Sequence, residues 1–277
     1  MRRARGEAPE SILDRPEVLR AIFYPRRDYG LLGRRRGVKL VAVEAAPGVA
    51  VGGRLYPAGR EAPAILFFHG NGEIAADYDG IAPLYNRLGI TLLVMDYRGY
   101  GRSGGRPTAS SLLADAVLAF EALGTILAGN DLAPDRLYVM GRSLGSAAAI
   151  EVARHAGERL AGLIIESGFA HTFALLARLG VRLPGADEER DGTGNLVKIA
   201  RITTPTLLIH GQADVLIPPA DGEALYEHSA AQDKRLVLVP GAGHNDLLMV
   251  AVGTYLEAIR QFVFGEAPVN SDALGRF

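Results

Sequence analysis

Short apolar runs alternating with longer stretches of helical periodicity narrow the possible folds more than any other feature of this chain. Residues 64–68, 90–95, 136–140, 160–166, 206–210 and 235–239 are dominated by consecutive apolar side chains. A strand shows that pattern when both of its faces are covered, as in a parallel sheet wrapped by helices. Between these runs, residues 73–88, 110–127, 144–155, 220–229 and 245–262 carry apolar side chains at helical spacing. Before them, residues 38–43 and 49–56 flank an Ala-Pro-Gly turn and read as an opening antiparallel hairpin. The expectation is an α/β protein with a mostly parallel sheet of about eight strands flanked by helices.

No internal repeat or long low-complexity linker divides the 277 residues, which a single large α/β domain accommodates. We expect a lead segment over 1–35, a principal domain over 36–263 and a loosely held tail over 264–277. Residues 168–200 break the alternation with a short apolar helix near 173–183 and a polar, glycine-bearing stretch over 187–194. This region reads as a small cap above the site. The Arg34-Arg35-Arg36 run reads as a solvated turn.

Composition excludes several function classes. The formal net charge is -1, which offers no positive field to nucleic acid or anionic lipid. With no cysteine, disulfides, thiolate metal sites, thiol nucleophiles and palmitoylated cysteines are absent. Neither the h-region of a signal peptide nor a run of about 18 apolar residues is readable. The expectation is a cytoplasmic enzyme of a small-molecule substrate, without a membrane anchor, and its oligomeric state is unspecified.

The chemistry gathers at the strand ends. Gly141-Arg142-Ser143-Leu144-Gly145 lies between an apolar strand and an alanine-rich helix. In that context a G-x-S-x-G sequence makes a tight turn that exposes a serine nucleophile above the sheet. Serine needs an imidazole to take its proton and a carboxylate to hold that imidazole. Asp214 follows run 206–210 and His244 follows run 235–239, giving the order Ser, Asp, His. Glu166, also at a strand end, is the alternative acid. His155, His171, His210 and His228 are weaker candidates for the base because none follows the last strand.

Two backbone amides are expected to receive the oxyanion: that of Leu144, after the nucleophile, and that of Asn71 in His69-Gly70-Asn71-Gly72. His69 is read as bracing this loop, and Asp96 as anchoring the turn Asp96-Tyr-Arg-Gly-Tyr-Gly101. Phe169, Phe173 and Leu176 in the cap are candidates for an acyl pocket. No metal or organic cofactor is required by this chemistry.

Taken together, these motifs with Pro205-Thr-Leu-Leu-Ile-His-Gly-Gln-Ala-Asp214 and Gly243-His-Asn-Asp246 resemble the α/β-hydrolase superfamily. Within it they are most similar to the BEM46/ABHD13-like branch, related to serine aminopeptidase-like hydrolases, over residues 23–263. The resemblance implies an α/β-hydrolase fold, Ser143 as nucleophile, Asp214 as acid, His244 as base and an oxyanion site at Asn71 and Leu144. It supplies no substrate; the Ser-His-Asp chemistry itself leads us to expect cleavage of carboxylic esters or related acyl bonds through an acyl-enzyme. An aminopeptidase-like, amidase or thioesterase activity is the alternative within enzymes, and a substrate amine would then meet an acidic group such as Glu73 or Glu166. A non-catalytic ligand- or partner-binding protein is the alternative from another class. Ser146 stands where glycine is commoner in the branch.

Overall fold

The structure is a computed structural model and describes residues 11–30 and 37–265. Arg34-Arg35-Arg36 and tail residues 266–277 lie outside the described residues. An N-terminal helix, α1 (Pro16–Ile22), follows a short 3-10 turn and has Pro16 in its first turn, where the missing N–H costs nothing. The strands then begin with β1 (Lys39–Ala46) and β2 (Val49–Tyr56), the antiparallel hairpin. Next come β3 (Ala64–Phe68), α2 (Ala82–Arg87), β4 (Thr91–Met95) and α3 (Ala109–Ala128). The elbow region is β5 (Leu137–Arg142) and α4 (Gly145–Ala156), followed by β6 (Gly162–Glu166). The segment expected to form a cap holds α5 (Thr172–Arg178), α6 (Glu188–Asp191) and α7 (Asn195–Ile199). The chain finishes its sheet with β7 (Thr206–Gly211), α8 (Pro219–His228) and β8 (Lys234–Val239), and then forms α9 (Leu247–Val250) and α10 (Val252–Phe264).

The eight strands form one sheet in the order β1-β2-β4-β3-β5-β6-β7-β8. Only the β1–β2 and β2–β4 pairings are antiparallel. From β4 through β8 every pairing is parallel, so the strands end on a common edge where ligands collect. Every residue of β3, β4 and β6 is buried, which accounts for their continuous apolar sequences. The core is in two layers: α3, α4 and α8 pack on one face of the sheet, and α2 and α10 pack on the other.

Three helical segments differ from the sequence expectation. Residues 73–88 divide into a 3-10 turn (Ala75–Asp79) and α2, because Gly80 and then Pro83 interrupt a single α-helix. The 245–262 stretch breaks at Ala251, which has non-helical backbone between α9 and α10. In the cap, the apolar helix ends at Arg178 rather than near residue 183. The polar stretch contains α6, whose Glu188 accepts the Thr172 and Phe173 amides at the start of α5, at 2.7 and 2.9 Å. Within the lead segment, residues 11–30 carry the 3-10 turn and α1. Leu13 and Val18 are buried with Ala109 of α3 and Leu176 of α5.

By length and apolar composition alone, α3 could cross a bilayer. Here it covers the sheet instead, burying Leu112, Ala116, Ala119, Phe120, Leu123 and Leu127 along one face. Thr108 caps it by accepting the Ser111 amide at 2.9 Å, and the Ser111 hydroxyl accepts the Thr108 amide in return.

Candidate active site

Ser143 stands on the turn from β5 to α4 with φ +52°, a left-handed backbone that a side chain seldom adopts without cause. Three bonds hold it there. Its amide donates to the Glu166 carbonyl at 2.9 Å, and its own carbonyl accepts the Ser146 amide and hydroxyl at 3.0 and 2.6 Å. The flanking glycines are required by backbone approach: a Cβ at Gly141 would meet the Gly145 carbonyl, and one at Gly145 would meet the Phe68 carbonyl. Ser146, the departure from the branch pattern, therefore bonds to the elbow directly.

His244 lies between Ser143 and Asp214. Its Nε2 is 2.9 Å from Ser143 Oγ, and its Nδ1 is 2.7 Å from Asp214 Oδ2. The other oxygen of Asp214 accepts the Leu216 and Ile217 amides at 3.0 and 2.8 Å, so a local turn fixes the carboxylate. The loop bearing His244 is joined to this turn by the bond from the Ala213 amide to the Ala242 carbonyl, 2.9 Å long. Burial opposes the Asp214 charge, but the His244 ring and the Ile217 amide outweigh it and hold the carboxyl below the ordinary aspartate value.

The alternative acid is engaged elsewhere. Glu166 accepts Arg142 Nε at 3.0 Å and the Tyr255 hydroxyl at 2.7 Å. Burial pushes its carboxyl up, and Arg142 and Tyr255 only partly offset that effect. Among the other histidines, His210 shares its Nε2 with the Ile217 carbonyl at 2.8 Å, and burial lowers its basicity. His155 pairs with Glu121, and His228 bonds within α8.

Asn71 and Leu144 occupy the loop after β3 and the start of α4, two segments that touch through Gly145 and the Phe68 carbonyl. Among the described residues, neither amide is taken up by a protein acceptor. The Asn71 side chain faces the N-terminal segment, accepting the Tyr24 amide and the Tyr100 hydroxyl, each at 2.8 Å. Arg26 adds a bond to the Gly72 carbonyl and an ion pair with Asp77. His69 is buried, with Nδ1 2.9 Å from the Gly70 carbonyl, and its carbonyl accepts the Tyr97 hydroxyl. Asp96 accepts the Ala75 amide at 2.8 Å.

Phe169 and Leu176 line an apolar cavity of about 30 Å³ that also touches Leu144, Val18 and Leu112. Such a volume holds about two water-sized groups. Phe173 is not on its wall; it is half-buried against the cluster of Leu13, Val18, Ala109 and Leu176. A larger cleft, about 220 Å³, opens near His244 between Arg142, Glu73, Asn245 and Met249. Arg142, within the elbow motif itself, was not singled out by sequence reasoning. It contacts Glu166, Glu73, the His244 carbonyl and Asn245. No cluster of three or more histidine or acidic side chains suited to a metal occurs among the described residues.

The comparisons agree with this architecture. A family model for serine aminopeptidase, S33, matches residues 59–182 and 193–248, so its gap falls inside the cap. The uncharacterized protein Rv2307c of Mycobacterium tuberculosis is 35% identical over 229 residues, covering 80% of this chain and 78% of that protein. Human alpha/beta hydrolase domain-containing protein 17B is 33% identical over 210 residues, covering 73% of this chain and 66% of that protein. Among solved structures, the Pyrococcus furiosus esterase Pf2001 aligns with a TM-score of 0.69 at 20% identity, over 87% of this chain and 98% of that one. Monoacylglycerol lipase from Paleococcus ferrophilus aligns with a TM-score of 0.61 at 19% identity, over 78% of this chain and 99% of that one. With the family match spanning more than half of its length, the chain belongs to the serine aminopeptidase S33 family of α/β hydrolases.

Proposed function

We propose that this hydrolase is a serine esterase that cleaves carboxylic esters through an acyl–Ser143 intermediate. The observation that carries the reading is the unbroken contact from Asp214 through His244 to Ser143 Oγ. Ser143 Oγ attacks the acyl carbonyl as its proton passes to His244 Nε2, while Asp214 stabilises the imidazolium. The Asn71 and Leu144 amides receive the oxyanion. The carbon–oxygen bond to the leaving alcohol then breaks, and the alcohol takes the proton from His244. Water repeats the sequence and releases the carboxylic acid and free Ser143.

Ester rather than aminopeptidase chemistry is supported by the state of the acidic groups. A substrate ammonium would have to compete with the Arg142 guanidinium, which already pairs with both candidate carboxylates. Both oxygens of Glu166 are engaged by Arg142 and Tyr255, and Glu73 is engaged by Arg142, the Gly70 amide and the Tyr78 hydroxyl. The solved relatives named as an esterase and a monoacylglycerol lipase point the same way. The apolar cavity at Leu144, Phe169 and Leu176 suits the acyl side, and its small volume favours short chains. Hydrolysis of p-nitrophenyl esters from acetate to decanoate, run beside aminoacyl p-nitroanilides, tests the reading. Turnover of the short esters supports it, and turnover of the anilides alone would overturn it.

A further inference from the structure

We infer that Arg142 is a positioning residue, whose guanidinium fixes the base loop and the oxyanion loop relative to the nucleophile. This rests on the serine-hydrolase reading above. Arg142 directly precedes Ser143, yet its side chain turns into the protein and is only 11% exposed. Each arm of its fork ends on a different segment. Nε donates to Glu166 at 3.0 Å, at the end of β6. Nη2 donates to the His244 carbonyl at 2.8 Å and to Asn245 Oδ1 at 3.1 Å, on the loop that carries the base. Nη1 is paired with Glu73, at the end of the His69–Gly72 loop.

Glu73 extends that last arm to the oxyanion loop. Its second oxygen accepts the Gly70 amide at 2.9 Å, immediately before Asn71, and the Tyr78 hydroxyl at 2.8 Å. Gly70 is itself crowded against the guanidinium, and a Cβ there would meet Arg142 Nη1. Glu166 is anchored in turn by Tyr255 of α10, whose hydroxyl is 2.9 Å from that of Tyr85. The elbow, the base loop and the oxyanion loop thus share one rigid, planar group.

Charge neutralisation alone does not require this geometry. A lysine ammonium would place the same single positive charge between the two carboxylates, but it lacks a planar fork that reaches three segments at once. If the fork positions the machinery, lysine at 142 should fold and still lose rate. A purely structural role would lower the melting temperature and leave the rate of the folded enzyme intact.

The test is the labelling rate of the full chain with a fluorophosphonate, separated into the maximal rate of inactivation and the concentration giving half of it. For Arg142→Lys, folded by circular dichroism, the expected result is a maximal rate at least fivefold below wild type with the half-saturating concentration within threefold. Glu73→Gln cuts only the oxyanion arm and lies nearer the surface, so it serves if Arg142→Lys does not fold; the same fivefold threshold applies. A folded Arg142→Lys protein labelled within fivefold of the wild-type rate overturns the inference. So does Glu73→Gln within fivefold, if it is the variant that decides. Wild-type protein that does not label at Ser143 would instead strike the nucleophile reading itself, which separates the two failures.

Discussion

Gly145 of α4 lies so close to the Phe68 carbonyl at the end of β3 that a single Cβ would overlap it. This contact brings the helix that follows Ser143 against the strand that leads to the His69–Gly72 loop. Gly145→Ala is therefore expected to push α4 away from β3. Overpacking of this kind costs about 1–3 kcal/mol. Urea unfolding should show the loss, and fluorophosphonate labelling of the remaining folded protein should slow as the two amides separate.

Asp214 holds His244 by a single carboxylate oxygen, while the other is committed to the Leu216 and Ile217 amides. Asp214→Asn preserves the shape but presents a group that can stabilise the wrong imidazole tautomer. The expected loss in kcat is about 10⁴-fold, by analogy with the serine-protease triad. Esterase kinetics at neutral pH measure it, and a loss below tenfold would point to another acid.

The same carboxylate makes stability depend on pH. In the folded chain the Asp214 and Glu73 carboxyls are held below their ordinary values despite burial, by His244 and the Ile217 amide in one case and chiefly by Arg142 in the other. The unfolded chain therefore binds more protons in mild acid, and stability rises with pH there. Their contribution is complete above about pH 4–4.5, the ordinary carboxylate range, and is lost as pH falls through the lower folded values. Melting temperatures of wild type and Asp214→Asn should accordingly converge as pH drops below about 4.

Most of the framework was legible in the sequence because it rests on local pattern. The fully buried β3, β4 and β6 announced themselves as continuous apolar runs, and the glycines around Ser143 marked a turn that only small residues allow. The break of 73–88 was written in Gly80 and Pro83 but was overridden by apolar periodicity on either side. The docking of α1 on the cap and the fork of Arg142 were not legible. Both depend on residues distant in sequence meeting in space: Val18 with Leu176, and Arg142 with Glu73, Glu166 and His244. An arginine inside G-x-S-x-G carries no local sign of whether it faces solvent or the interior.

Leu176 is 1% exposed and lies on the wall of the small apolar cavity. Leu176→Ala should destabilise the fold by about 2–5 kcal/mol, the usual cost of emptying a buried leucine site. It should also move the ester preference toward longer chains, and Leu176→Phe should move it toward acetate. The ratio of butyrate to octanoate turnover reads the change. No change in that ratio with either variant would remove the cavity from the acyl site.

The proposed mechanism turns on Ser143 being an activated nucleophile in contact with His244. Fluorophosphonate labelling of the full chain, followed by peptide mapping, tests it without knowledge of the natural substrate. Stoichiometric modification at Ser143 is expected, disappearing in Ser143→Ala and slowing strongly in His244→Ala. Folded protein that stays unlabelled, or that is modified equally well in Ser143→Ala, would contradict it.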